Sequence, residues 1–298
     1  MSQAEKAGVF LFAGQGPKLK PGVLQDVYDD SPEMQLVFAE ADEVCIPKGF
    51  SVKELLYGDS QDQLRAEQPS LGIYLPAALT VQIGVARLLK SRGIEPTKVY
   101  LGHSFGRLGA AVASNLMPFK AGLRLSIGRG EAQERLMRSR DMVVGLVDDK
   151  ARQYQGLISQ AEAILAASKD KMATVKVTII NHGHQFLIMG DPSEVSLFSH
   201  DFKDRFPDIR IIRYKAPPSH SSDCQPAQKE CNTDLAAVEP ELRKPVRPII
   251  SDITGKAMRS VESFVRDSKE QIVRQLRWDE NLRGLRRMRD KSGIEVGH

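Results

Sequence analysis

Cysteine is scarce in this sequence. Cys45, Cys224 and Cys231 are its three thiols, too few and odd in number for a disulfide framework. A reducing, cytoplasmic compartment is the simpler expectation. Cys224 and Cys231 lack a second Cys or His pair at zinc spacing, so no metal site is expected. Long hydrophobic runs are also missing. None approaches the roughly 18 apolar residues of a membrane span. The N-terminal MSQAEKAGVFLFAGQG has no charged leader followed by a long apolar core, so it does not read as a signal peptide. Nor is there an excess of one charge. The net charge is only +4, with bases and acids interspersed, which argues against nucleic acid as a partner. The arginine-rich stretch Arg274–Lys291 is the exception. It reads either as a solvated helix face or as a docking patch for an acidic partner.

The 298 residues suffice for one large domain or two modest ones. Val9–Ala13 reads as a buried strand ending in the turn Gly14-Gln15-Gly16-Pro17. Residues 32–47 and 51–66 carry helical apolar spacing. Leu71–Leu89 is apolar nearly all round and is expected to be a buried helix. Val99–Leu101 is a short strand running into Gly102-His103-Ser104-Phe105-Gly106, and Leu108–Leu116 and Pro118–Arg138 are helical. From 140 to 214 the pattern changes to strand, helix, two strands, helix and strand, which is the ferredoxin-like order. The expectation is a small ferredoxin-like domain at 140–214, inserted in a large α/β domain made of 1–139 and 215–298. The chain returns to the large domain through a strand in Pro245–Ser251. A C-terminal helix follows, with an apolar stripe of Trp278, Leu282, Leu285 and Met288.

Gly102-x-Ser104-x-Gly106 has the form of a nucleophile elbow. A serine forced onto a sharp strand-to-helix turn needs small neighbours, because backbone segments crowd together there. Its hydroxyl then projects beside the free N–H groups of the helix start. A serine hydroxyl also needs a base to take its proton. Among the six histidines, His103 is adjacent to Ser104 and should point elsewhere. His182 and His184 flank a turn glycine, His200 sits among charges and His298 is terminal. His220, in the loop Ala216-Pro217-Pro218-Ser219-His220, remains as the candidate base or as a surface loop histidine.

Together these motifs resemble malonyl-CoA:acyl-carrier-protein transacylases and the acyltransferase domains of polyketide and fatty-acid synthases. Phe12-Ala13-Gly14-Gln15-Gly16 is similar to F-P-G-Q-G, Gln68-Pro69 to T-Q-P, and Gly102–Gly106 to G-H-S-L-G. Arg129-Gly130 resembles the R-G that follows the serine. Asn181–Gly190 resembles N-S-P-G-Q-V-V-I-S-G, and Pro218-Ser219-His220 resembles P-S-H. Ser251–Lys256 resembles S-N-V-T-G-K. Arg274-Gln275-Leu276 with Trp278 resembles R-Q-L…W, and Ile294–Gly297 resembles V-E-V-G.

The resemblance implies an α/β-hydrolase-like large domain and acyl transfer by a ping-pong route through Ser104. The acyl group, malonyl or a related dicarboxylic one, would pass from coenzyme A to an acidic, phosphopantetheinylated acyl-carrier protein, with no permanently bound cofactor. It implies His220 as general base, the backbone N–H groups of Gln15 and Phe105 as oxyanion hole, and a backbone carbonyl near Gln275 as the group that orients His220. Arg129 would clamp the acyl carboxylate, with Gln68, Asn181 and His103 also lining the substrate. An ion pair of Arg129 with Glu131 or Glu134 is the structural alternative. Departures stand out: Arg107 replaces the usual Glu after the elbow, Pro17-Lys18 replaces Ser-Gln, and His182-Gly183-His184 replaces S-P-G. Phe105 is also bulkier than many residues at its position, and the family continues past the point where Gly297-His298 stand. Three other functions compete: a serine hydrolase that clears carrier proteins and has no need of Arg129, a transferase of a non-malonyl group, and a non-catalytic carrier-binding module.

Overall fold

The computed structural model describes residues 8–15, 19–66, 69–287 and 293–296. Its strands are β1 (Val9–Phe12), β2 (Val99–Gly102), β3 (Val143–Asp148), β4 (Lys176–His182), β5 (Gln185–Gly190), β6 (Arg210–Tyr214), β7 (Ile249–Ile250), β8 (Ala257–Met258), β9 (Leu276–Arg277) and β10 (Gly293–Val296). Its helices are α1 (Gln25–Asp30), α2 (Pro32–Cys45), α3 (Val52–Tyr57), α4 (Asp62–Arg65), α5 (Leu71–Ser91), α6 (Gly106–Ala113), α7 (Phe119–Ser139), α8 (Leu157–Ala167), α9 (Pro192–Arg205), α10 (Gln225–Val238), α11 (Val261–Ser268) and α12 (Trp278–Arg287).

The first sheet has the order β10-β1-β2-β7-β8. β10, β1, β2 and β7 are parallel, and β8 closes the edge antiparallel to β7. β1, β2 and β7 read as unbroken apolar runs because both of their faces are covered. Alternate side chains go to opposite sides. Phe10, Phe12, Tyr100 and Ile249 join the main core with α2, α5, α6 and α7, while Val9, Val99, Leu101 and Ile250 form a second layer under Trp278 and Leu285 of α12. The expected core role of that C-terminal stripe therefore holds for Trp278 and Leu285; Met288 lies outside the described residues. Helix α5 has the length and hydropathy of a membrane span, but most of it is buried inside the protein.

The second sheet has the order β6-β3-β5-β4-β9. Taken as the four strands of 143–214, that is fourth, first, third, second, all neighbours antiparallel. This is the ferredoxin-like arrangement, with α8 and α9 packing Leu157, Ile164, Val195, Phe198 and Phe202 onto one face. β9 comes from the C-terminal part of the chain and adds in parallel to β4. A third apolar cluster, including Leu136, Val144, Met189, Cys224 and Ile272, packs the second sheet against α7 and the segment leading into α10.

The structure refines several boundaries. The helix expected at 51–66 is broken into α3 and α4 around Gly58, whose Cβ would collide with the Glu54 side chain. Helix α10 lies in a stretch where sequence patterning gave no element; its buried face is short and partly polar, made of Ala227, Gln228, Leu235 and Val238. Among the described residues of the C-terminal stretch, Arg274 pairs with Glu270, Arg277 with Asp279 and Glu280, and Arg283 with Asp279; the side chains of Arg286, Arg287, Arg289 and Lys291 lie outside the described residues.

Candidate active site

Strand β2 is wholly buried and delivers Ser104 at the C-terminal end of the parallel sheet. The chain turns there with Ser104 at φ 53, a left-handed conformation costly for a residue with a Cβ. The flanking glycines make the turn possible. A Cβ on Gly102 would lie 2.2 Å from the Arg107 nitrogen, and one on Gly106 would lie 2.2 Å from the Phe12 carbonyl oxygen. Helix α6 starts at Gly106, so the serine sits at its N-terminal end, and the Gly106 and Arg107 N–H groups close the turn onto the His103 and Ser104 carbonyls.

The neighbouring strand β1 ends in register, Phe12 opposite Gly102, which brings the Ala13–Gln15 turn beside the elbow. Helix α5 holds this turn: Gln82 Nε2 donates to the Ala13 carbonyl at 2.9 Å, and the Tyr74 hydroxyl donates to the Gln15 carbonyl at 3.3 Å. Among the described residues, the N–H groups of Gln15 and Phe105 donate to no protein acceptor.

His220 is buried and faces Ser104, with Nε2 2.7 Å from Oγ. Its Nδ1 lies 3.1 Å from the Gln271 carbonyl oxygen. A carbonyl only accepts, so Nδ1 carries the proton and Nε2 accepts from the serine. His220 is also left-handed, at φ 60. Gln133 Nε2 holds the preceding Pro218 carbonyl at 3.2 Å, and Ser221 N–H donates to the Ile272 carbonyl at 3.2 Å. Burial pushes the His220 pKa down to about 3, with the Arg129 cation and His103 pushing the same way. The imidazole is therefore neutral and able to take a proton.

The orienting carbonyl belongs to Gln271, not to Gln275 as the R-Q-L resemblance implied. Gln275 instead points its amide to the Val177 carbonyl at 3.0 Å, bracing β4. Gln271 was missed because the two glutamines stand four apart in a segment of turns, where periodicity does not say which carbonyl faces inward. Its side chain adds more. Oε1 accepts from Arg129 Nη1 at 2.9 Å, while Nε2 donates to Asp252 Oδ2 at 2.8 Å and to the Ser104 carbonyl at 3.2 Å.

Arg129, on α7, is 8% exposed. Its Nη2 is 3.5 Å from Ser104 Oγ, and its Nε has no partner among the described residues. The structural alternative fails: Glu131 reaches toward Arg135, and Glu134 caps the start of α5 and reaches toward Arg138. Arg129, Arg107 and Gln271 line a cavity of about 60 Å³, with Leu125, Leu235 and Phe264 as apolar wall. His103 Nε2 lies 3.3 Å from Asn181 Oδ1 and its ring packs edge-on against Trp278 at 4.9 Å. These two residues thus meet each other at the junction of the sheets. Gln68 lies outside the described residues. His184, beside the turn glycine, is partly buried and held 3.1 Å from Asp149.

The assembly can activate a hydroxyl, shelter an oxyanion and offer a buried cation to an anionic group. Comparison with known proteins agrees with this geometry. A family model described as the acyl transferase domain matches residues 9–297. Probable polyketide synthase 17 of Dictyostelium discoideum is 26% identical over 258 residues, which cover 84% of this chain and 9% of that protein. The malonyl CoA-acyl carrier protein transacylase of Buchnera aphidicola subsp. Baizongia pistaciae is 22% identical over 277 residues, covering 93% of this chain and 84% of that one. The chain thus spans only a small part of the polyketide synthases it matches, but most of the shorter transacylase. The solved malonyl CoA-acyl carrier protein transacylase of Coxiella burnetii has the same fold, with a TM-score of 0.86 at 20% identity over 99% of this chain and 88% of that one. By the match over nearly its whole length, this chain belongs to the acyl transferase domain family.

Proposed function

We propose that this chain moves a malonyl or related dicarboxylic acyl group from coenzyme A to the phosphopantetheine thiol of an acyl-carrier protein, in fatty-acid or polyketide biosynthesis. The observation that carries this reading is the 2.7 Å Ser104–His220 contact beside a buried guanidinium with no carboxylate in contact among the described residues. In the first half-reaction Ser104 Oγ attacks the thioester carbonyl and its proton passes to His220 Nε2. The N–H groups of Phe105 and Gln15 stabilise the oxyanion, typically by about 3 kcal/mol per donor. The C–S bond breaks, and the proton returns to the coenzyme A sulfur. In the second half, the carrier thiol gives its proton to His220 and attacks the ester, and Ser104 regains its proton.

Arg129 takes the free carboxylate of the acyl group. A buried cation lacking an anion is costly, and among the described residues no carboxylate touches this one. The anion also acts on the base. It offsets the Arg129 charge that depresses His220, so the imidazole becomes a better proton acceptor once a dicarboxylic acyl group is bound. His103 and Asn181 form a wall of the site in this reading. Residues 140–214 act as a separate unit with their own core, and the three free thiols fit a cytoplasmic location.

The test is a two-product assay with malonyl-CoA and a phosphopantetheinylated carrier protein. Malonyl-carrier should form much faster than free malonate. Release of malonate at a rate indifferent to the carrier would instead favour the hydrolase reading, which shares Ser104 and His220 but gives Arg129 no task.

A further inference from the structure

Position 107 is Arg where the acyltransferase pattern has Glu, and position 252 is Asp where the S-N-V-T-G-K pattern has Asn. The two side chains meet in the interior. Arg107 Nη1 lies 3.5 Å from Asp252 Oδ1 and 2.6 Å from Asp267 Oδ2, and all three groups are largely buried. Arg107 Nη2 also donates to the Phe264 carbonyl at 3.1 Å and to Ser268 Oγ at 3.0 Å.

From this pair a chain of contacts leads to the substrate cation. Asp252 Oδ2 accepts from Gln271 Nε2 at 2.8 Å, and Gln271 Oε1 accepts from Arg129 Nη1 at 2.9 Å. An amide has two unlike ends, and its orientation follows from its neighbours. An ionised Asp252 only accepts, so it draws the NH2 end of Gln271 and leaves the oxygen for Arg129. Burial raises the Asp252 pKa and the Arg107 cation offsets this only in part, so the ionised state of Asp252 depends on Arg107 staying beside it. A neutral, protonated acid could donate instead, and would no longer dictate which end of the amide faces Arg129.

We infer that Arg107 and Asp252 are a positioning pair: through Gln271 they fix the orientation of Arg129 and so set the preference for an acyl group bearing a carboxylate. This inference rests on the carboxylate-clamp reading of Arg129. It also accounts for the paired departures, because Asn beside Glu can likewise turn its carbonyl oxygen to Gln271 and its NH2 to the acid. In Asp252→Asn with Arg107 retained, one amide oxygen must serve both Arg107 and Gln271, and the NH2 is forced toward one of two donors.

The experiment measures Ser104 loading from malonyl-CoA and from acetyl-CoA, as kcat and KM, in the full chain. Asp252→Asn should lower kcat/KM for malonyl by about ten-fold and leave acetyl loading largely intact. Gln271→Met, which keeps the backbone carbonyl for His220, should lower the malonyl-to-acetyl ratio similarly. Adding Asp252→Asn to it should then cause little further loss, since both act through one amide. Arg107→Lys keeps a cation beside Asp252 and should keep the ratio, which covers the case of a poorly folding Asp252 variant. Equal losses on both acyl groups, full additivity of the two substitutions, or collapse of the ratio in Arg107→Lys would each overturn the inference. The absence of malonyl loading in the unsubstituted chain would overturn it together with the proposed function, whereas the former outcomes overturn the inference alone.

Discussion

Two buried arginines line the same small cavity, and their surroundings are opposite. Arg107 is 4% exposed and faces two carboxylates, a hydroxyl and a carbonyl. Arg129 is 8% exposed and faces a neutral amide and a serine hydroxyl, with no carboxylate in contact among the described residues. Burial of a guanidinium strongly favours an anionic neighbour. For Arg107 the fold supplies that anion; for Arg129 none is in contact among the described residues. The difference separates a cation that belongs to the scaffold from one that awaits a ligand.

Several substitutions can break or sharpen this contrast. The largest effect is expected from Arg107→Met, which leaves Asp252 and Asp267 buried without their counter-charge. It should destabilise the fold by about 3–5 kcal/mol, read by chemical denaturation. Arg129→Ala comes next. Malonyl loading should fall about a hundred-fold or more, and far more than acetyl loading; equal losses would break the clamp. In stability the ranking reverses, since Arg129→Met removes an uncompensated charge. Its thermal midpoint should match or exceed that of the original chain.

The pH profile gives a smaller but signed effect. His220 works as a neutral base, and its pKa is held down at about 3 in the unliganded site. Lowering the pH therefore should not switch off the first half-reaction where an ordinary imidazole would. The kcat/KM for malonyl loading should stay level well below about 6.5, the usual histidine value. A fall centred there would mean that the ring is solvated. Least of all is expected from Gln275→Ala. It loses one hydrogen bond to β4, worth about 1 kcal/mol, with loading rates unchanged.

How legible these features were follows from the reach of each interaction. Ser104 could be read because the elbow is local: five residues carry the strand end, the tight glycines and the helix start. His220 stood out through its Pro-Ser-His motif, although its distance from Ser104 along the chain hid the contact. The unbroken apolar run from Val9 announced a buried strand. Arg107 was visible only as a departure. Its partners stand at 252 and 267, and no local pattern marks an acid that meets a cation from so far away. The same limit explains Gln271 and Gln275: one turn of chain, fixed by β9 joining the second sheet, decides which glutamine serves the histidine.

The most direct measurement is the intact mass of the chain after brief mixing with malonyl-CoA. A single malonyl adduct should appear, disappear on adding carrier protein, and be absent in Ser104→Ala. No adduct, or one that survives that substitution, would contradict the assignment of Ser104 as the residue that carries the acyl group.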